Sequence, residues 1–184
     1  MEFHALGRLA AYRNGVEVDL GTPKQKAVLA FLLINANRPV SVDRLLDAVW
    51  GDDGHGKENA LRVYMSRLRS ALEPERQRGE SSLLANRGNA YQLTVDPDHF
   101  DVVQFEREAA EGRLLLKTDA AAAAKILTSA LSRWRGPAFD DFVYDDFTQV
   151  ERFRLNEARV TAIEDRIEAD LTLGLAGELL SELE

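Results

Sequence analysis

The chain has no cysteine, and this absence excludes several kinds of chemistry. Disulfide frameworks, cysteine-ligated zinc or iron–sulfur sites and thiol nucleophiles all require that residue. Long apolar runs are missing as well: the longest, residues 27–34, has eight residues, whereas a membrane-spanning helix needs about 18. The first residues show no basic segment followed by an apolar one, so no secretory signal is indicated. Together these absences predict a cytoplasmic protein that does not enter a membrane.

Catalytic, nucleotide and metal motifs are also scarce. His4, His55 and His99 lie far apart and have no metal-ligand spacing. The glycines of residues 51–56 are not followed by the Gly-Lys-Ser/Thr of a phosphate loop. Residues 140–146 hold four aspartates that could bind a divalent ion, but they lack calcium-loop spacing, which favours a solvated loop or helix start. We therefore predict no cofactor, no metal and no enzymatic activity.

The negative charge is concentrated in one half of the chain. The net charge is -8, from 23 Lys/Arg and 31 Asp/Glu. Residues 1–97 carry 13 Lys/Arg and 12 Asp/Glu, a net of +1, whereas residues 98–184 carry 10 and 19, a net of -9. Because local charge decides whether a surface can approach phosphate, the first half remains compatible with a nucleic-acid partner. The asymmetry indicates two modules with different partners.

The first half combines strand and helix patterns. Residues 4–9 and 16–20 alternate in apolar character around an Asn-Gly turn, which predicts a β-hairpin. Thr22 and Ser41 stand where the caps of two helices are expected. Three helices are predicted over residues 22–36, 41–50 and 58–72, and a second hairpin over residues 83–85 and 90–93. A hairpin, three helices and a hairpin is the order of a winged helix-turn-helix, in which the second hairpin is the wing.

The third predicted helix has an arginine-edged polar face. Its apolar stripe comprises Leu61, Met65, Leu68 and Leu72. The opposite face holds Asn59, Val63, Ser66 and Ser70, bordered by Arg62 and Arg69 on one side and Arg67 on the other. Small residues flanked by guanidinium groups suit the DNA major groove, and Arg87 at the wing tip could reach a minor groove. A solvated helix face explains the three arginines equally well, but the wing arginine and the element order favour DNA.

The second half is predicted to be entirely helical. Asp96-Pro97-Asp98 is the linker candidate, and strand patterns disappear after it. Helices are expected over residues 100–112, 120–134, 146–173 and 175–184. The predicted fold class is therefore an α+β winged helix-turn-helix in residues 1–96, followed by an all-α domain in residues 97–184. Because the last helix ends without a cap, we expect that domain to be incomplete.

Both halves resemble a family of bacterial regulators. Residues 20–30, 40–51, 61–72 and 88–91 look like the OmpR/PhoB-type winged helix, in the version found in Streptomyces antibiotic regulatory proteins of the AfsR and EmbR type. Residues 130–137, 151–159 and 171–174 are similar to the bacterial transcriptional activation domain of those regulators, which is a tetratricopeptide-like helical domain. The resemblance covers nearly the whole chain, although Ser66 and Ser70 stand where many relatives carry arginine or lysine.

The resemblance implies a transcription activator that binds direct repeats in double-stranded DNA as a homodimer and recruits RNA polymerase. The residues predicted to contact DNA are Asn59, Arg62, Tyr64, Ser66, Arg67, Arg69 and Arg87. The loop predicted to contact polymerase contains Gly51, Asp52, Asp53, His55 and Lys57.

Two alternatives remain open. The whole chain has a second interpretation as a protein-interaction scaffold whose winged helix no longer binds DNA. The near-neutral first half and the two serines on the third helix motivate it. Tyr64 likewise has two interpretations, a contact to the DNA backbone or packing at the edge of the core. Trp50 and Trp134 each close an apolar stripe and are expected in the core.

Overall fold

An antiparallel sheet opens the chain in the computed structural model, which describes residues 1–77 and 82–175. Its strands are β1 (Glu2–His4), β2 (Ala10–Arg13) and β3 (Val16–Glu17), with β2 in the middle. Asn14 and Gly15 have φ values of 51° and 78°, so they can form the tight turn between β2 and β3. The predicted turn is therefore confirmed.

The predicted first strand of that hairpin, residues 4–9, is wrong, because the strand that pairs with β3 is β2. Residues 5–9 are not a strand, although Ala5, Leu6 and Leu9 are fully buried. The backbone N–H groups of Ala5 and Leu6 donate to the Asp101 carboxylate at 2.8 and 3.2 Å, and that of Leu9 donates to Asp141 at 2.7 Å. Ala5, Leu6 and Leu9 are apolar because they lie between the sheet and the second half of the chain, whereas Arg8 is exposed.

The three predicted helices of the first half are confirmed as α1 (Pro23–Ile34), α2 (Val42–Trp50) and α3 (Glu58–Leu72). Thr22 Oγ1 accepts a hydrogen bond from the Gln25 amide, and Ser41 Oγ accepts one from the Arg44 amide, each at 3.3 Å. These caps satisfy N–H groups that a helix cannot pair internally. Most of α1 is buried, so it forms the centre of the core, and it ends two residues before the predicted boundary.

The wing belongs to a second antiparallel sheet of three strands. Its strands are β4 (Val40–Ser41), β5 (Leu84–Asn86) and β6 (Ala90–Leu93), in the order β4-β6-β5. Strands β5 and β6 pair with each other and confirm the predicted second hairpin. Strand β4 pairs Val40 with Tyr91, and the Val42 amide donates to the carbonyl of Asn89 at 3.0 Å. The β6 side of the wing is therefore fixed to the start of α2.

Up to residue 175, the second half contains three long helices, α4 (Asp101–Leu115), α5 (Ala120–Ser132) and α6 (Asp146–Thr172). Gly112 allows α4 to approach α5 closely, because a Cβ there would lie 2.5 Å from Leu127 Cγ. The predicted segment 175–184 falls outside the described residues, apart from the non-helical Leu175. None of the helices that the structure describes is both long and apolar enough to cross a bilayer.

The two halves share one hydrophobic core and a network of hydrogen bonds. Asp101, which is 3% exposed, also forms an ion pair with Arg135. The Arg135 amide in turn donates to the carbonyl of Leu6 at 2.8 Å. The predicted linker forms a short 3-10 turn, Pro97–His99, and the division into residues 1–96 and 97–184 stays a prediction.

Candidate nucleic-acid interface

Helix α3 exposes the face that its sequence pattern predicts. The four residues of its apolar stripe are at most 2% exposed: Leu61, Met65, Leu68 and Leu72. The exposed residues are Glu58 at its start and, along the opposite face, Asn59, Arg62, Val63, Ser66, Arg67 and Ser70. The apolar stripe therefore anchors the helix in the core and leaves small and polar side chains, with two arginines, in solvent.

Arg62 and Arg67 are the two exposed arginines of α3. The Arg62 side chain is held by a local hydrogen bond, because its Nη1 donates to the side-chain oxygen of Asn59, one turn earlier, at 3.0 Å. Arg67 makes no hydrogen bond or ion pair within the described part of the chain. Each guanidinium carries five N–H donors, so both keep donors for an external acceptor.

Arg69 lies in a different environment from the other two arginines. It is half-buried, and its Nε and Nη2 both donate to the backbone carbonyl of Leu84, at 3.1 and 2.8 Å. Leu84 is the first residue of β5. The structure thus directs this guanidinium towards the base of the wing rather than into solvent.

Tyr64 stacks against an aromatic residue of the preceding helix. Its ring lies 5.9 Å from that of Trp50, with an angle of 4° between the ring planes. Both residues are half-buried and pack against the core, as does Trp134. The core-edge interpretation of Tyr64 is therefore confirmed for its ring, while a contact of its hydroxyl to DNA stays a prediction.

Arg87 lies at the tip of the wing. Its amide donates to the Ala90 carbonyl at 2.8 Å, which closes the turn, and Gly88 supplies the positive φ of 72° that the turn needs. The Arg87 side chain is exposed, and its Nε lies 3.3 Å from the side-chain oxygen of Gln92. The wing therefore presents one cation in solvent at its outer end.

Comparisons with known proteins match both halves of the chain. The family described as "Transcriptional regulatory protein, C terminal" matches residues 15–93, and "Bacterial transcriptional activator domain" matches residues 100–184. The regulatory protein DnrI of Streptomyces peucetius is 33% identical over 189 residues, which cover 100% of this chain and 70% of DnrI. The chain belongs to the Streptomyces antibiotic regulatory protein family. Its relatives in this family are transcriptional regulators.

A second relative confirms the family and the fold. The transcriptional regulatory protein EmbR of Mycobacterium tuberculosis is 36% identical over 198 residues, which cover 100% of this chain and 48% of EmbR. A solved structure of EmbR in complex with a low-affinity phosphopeptide matches with a TM-score of 0.90 and 34% identity, over 99% of this chain and 48% of that chain. The present chain thus has the predicted winged helix-turn-helix and tetratricopeptide-like helical domain. It spans about half the length of EmbR.

The loop between α2 and α3 is where the family resemblance predicts a polymerase contact. Gly51–Gly54 form a 3-10 turn, and Gly54 is buried against the backbone of Leu46. The five residues predicted to contact polymerase are all exposed, as is Gly56: Gly51, Asp52, Asp53, His55 and Lys57. A shallow cavity of about 230 Å³ lies between this loop and α2. The predicted role of the loop stays a prediction.

Several of the groups considered for metal binding have other partners. The ring of His4 packs against Tyr12 at 4.8 Å, and burial lowers the pKa of His4 below its usual value. In the aspartate cluster, Asp141 accepts the Leu9 amide and Asp146 accepts the Gln149 side-chain amide in the first turn of α6. The loop and helix-start interpretation of these aspartates is confirmed. Within residues 1–77 and 82–175, no group of three or more His, Asp or Glu could hold a metal ion.

Sequence reasoning missed Glu73, the residue directly after α3. Its Oε1 accepts the Leu83 amide at 2.7 Å, and its Oε2 accepts the Ser82 hydroxyl at 2.5 Å. The dipeptide Glu73-Pro74 indicates only where the helix stops. Its partners lie nine and ten residues further along the chain, so no local pattern reveals them.

Proposed function

We propose that this family member is a sequence-specific DNA-binding transcription activator that places α3 in the major groove of promoter direct repeats. The observation that carries the proposal is the exposed face of α3, where Ser66 and Asn59 permit close approach beside Arg62 and Arg67. A helix about 10–12 Å across fits a major groove that is about 12 Å wide.

The proposed contacts follow from the chemistry of each side chain. Arg67 has all its donors available and can bind a guanine edge or phosphates. Arg62 is held by Asn59, so this pair can contact the backbone together. Arg87 reaches the adjacent minor groove and its phosphates from the wing tip. The Tyr64 hydroxyl contacts the DNA backbone from the edge of α3.

The proposal includes the assembly of two protein copies on DNA and the recruitment of RNA polymerase. Two copies bind side by side on a direct repeat, and the loop of residues 51–57 contacts RNA polymerase. Asp52 and Asp53 give that loop an acidic surface that suits a basic protein partner. Residues 98–184, with a net charge of -9, are repelled by phosphate, which favours their use in contacts between proteins.

The salt dependence of binding tests the proposal. Because each phosphate contact releases condensed counterions, the log–log slope of affinity against salt should be about -0.9 per contact. Arg87→Ala should reduce the slope by about 1 for each bound protomer, whereas Lys125→Ala, an exposed cation on α5, should not change it. Fluorescence anisotropy with a duplex selected from a random pool measures both slopes. Affinity that barely changes between about 50 and 200 mM salt would contradict the proposal.

The scaffold interpretation is the second candidate. Val63 is 46% exposed in the middle of the proposed DNA-contacting face of α3, as an apolar protein contact would require. A gel-shift screen with random genomic fragments separates the two candidates. If no fragment is shifted at micromolar protein, the scaffold is favoured.

A further inference from the structure

Two side chains one helical turn apart connect the end of α3 to the base of the wing. Arg69 donates from Nε and Nη2 to the carbonyl of Leu84, and Glu73 accepts the amide of Leu83. The Glu73 amide also donates to the Arg69 carbonyl at 2.8 Å, so Glu73 caps the last turn of the helix, which contains Arg69. We call Arg69, Glu73, Leu83 and Leu84 the wing clamp.

The wing clamp occupies the edge of the wing that has no neighbouring strand. In the order β4-β6-β5, β6 is paired on both sides, whereas β5 is an edge strand that pairs with β6 alone. Unpaired backbone groups on an edge strand need other partners when they are shielded from water. Leu84 is buried and Leu83 half-buried. Arg69 and Glu73 supply partners for the Leu84 carbonyl and the Leu83 amide, and the Ser82 hydroxyl also bonds the carbonyl and the amide of Leu84.

We propose that Arg69 and Glu73 are positioning residues that hold the wing where Arg87 can reach DNA while α3 is in the major groove. Arg69 then acts through the wing and does not itself bind DNA, although the helical pattern alone predicts a DNA contact. This inference rests on the proposed DNA-binding function. The separation of helix and wing sets which phosphates both can contact at once, so it also influences the preferred site.

The strength of these bonds supports such a role. Hydrogen bonds with a charged partner are about twice as strong as neutral ones, and all three bonds of the wing clamp are of this kind. Losing the Glu73 carboxylate leaves the Leu83 amide without its acceptor in a half-buried place. The β5 edge would then move relative to α3, while β6 stays paired with β4.

Glu73 gives the sharpest test because charge and geometry predict opposite results. Removing a carboxylate near DNA should tighten binding if only charge matters. We expect Glu73→Ala to raise the Kd for the selected duplex about five- to tenfold, the effect of losing about one charge-assisted hydrogen bond. Glu75→Ala, which removes the same charge from an exposed side chain two residues on, should leave the Kd unchanged or lower it.

Two conservative variants separate positioning from charge and from misfolding. Glu73→Gln keeps an oxygen that can accept the Leu83 amide, so we expect it to restore a Kd within about twofold of the wild-type value. Arg69→Lys keeps the charge but loses the planar fork that places two donors on one carbonyl, so we expect weaker binding. A simple phosphate contact by Arg69 would tolerate lysine.

A double-mutant cycle shows whether the wing clamp acts through the wing. Arg87→Ala should raise the Kd about tenfold in the wild-type chain but less than about threefold in the Glu73→Ala chain. Arg67→Ala should have the same effect in both backgrounds, because α3 itself stays anchored by its apolar stripe. If Glu73→Ala instead destabilised the whole protein, the effects of Arg87→Ala and Arg67→Ala on the Kd would both be reduced, and by the same factor.

Each result decides the inference. Tighter binding of Glu73→Ala, or an undiminished Arg87→Ala effect in that background, overturns the role of the wing clamp and leaves the proposed function intact. Wild-type affinity in both Arg67→Ala and Arg87→Ala overturns the proposed function, and the inference with it. Weaker binding by Glu73→Ala, recovery by Glu73→Gln and coupling to Arg87 alone establish the positioning role.

Discussion

Replacing Arg67 by alanine should weaken binding to a direct-repeat duplex about 10- to 100-fold, the usual effect of losing an arginine contact to a base. The side chain is exposed and makes no hydrogen bond or ion pair within residues 1–77 and 82–175. Its removal should therefore leave the fold unchanged, and all of the loss should appear in binding. Footprinting measures the loss as disappearance of protection over the repeat.

The control for Arg67→Ala is Lys125→Ala, which removes an exposed positive charge from α5. Both variants should give the helical circular-dichroism signal of the wild-type chain. Protection of the repeat should persist with Lys125→Ala and vanish with Arg67→Ala at equal protein concentration. Intact protection with Arg67→Ala would remove this residue from the interface.

The largest effect on stability should come from Asp101→Ala. The carboxylate is 3% exposed and accepts the amides of Ala5 and Leu6 while it pairs with Arg135. Its loss leaves two buried N–H groups without an acceptor, at about 1–3 kcal/mol each. We expect the free energy of unfolding to fall by about 3–5 kcal/mol, mainly from these two amides, because Arg135 is 43% exposed and water can solvate its charge. Urea denaturation measures the change.

Asp98→Ala is the matched control for that substitution. Asp98 also forms an ion pair, with Arg107, but its side chain is 65% exposed. Water solvates both charges, so we expect the urea midpoint to stay within error of the wild-type value. If the urea midpoint of Asp101→Ala also equalled the wild-type value, the contacts of residues 5 and 6 with Asp101 would not hold the two halves together.

The sequence predicted those parts of the fold that local patterns determine. The limits of α3 followed from an apolar stripe over 15 residues and a Glu-Pro stop. The caps at Thr22 and Ser41 and the Asn-Gly turn followed from side chains that act within three residues of their partners. The exposed positions of Arg62 and Arg67 followed from helical geometry alone.

The features that were missed depend on partners distant in the sequence. Strand β4 has two residues, too few for a pattern, and it exists because β6 lies beside it about 50 positions later. Residues 5–9 resemble a strand in their pattern, but their amides donate to Asp101 and Asp141, which lie in the other half of the chain. The helical pattern placed Arg69 at the border of the exposed face and could not reveal the Leu84 carbonyl that binds it.

The absence of cysteine allows a direct test of the central claim, that the exposed face of α3 lies against DNA. Ser66→Cys creates a single thiol on that face, and Ser129→Cys creates one at an exposed position of α5. A DNA-cleaving iron chelate attached to each thiol reports which part of the protein lies near the duplex. We expect strand cuts within each repeat from position 66 and none from position 129. Equal cleavage from both positions, or none from position 66 on a bound duplex, would contradict that claim.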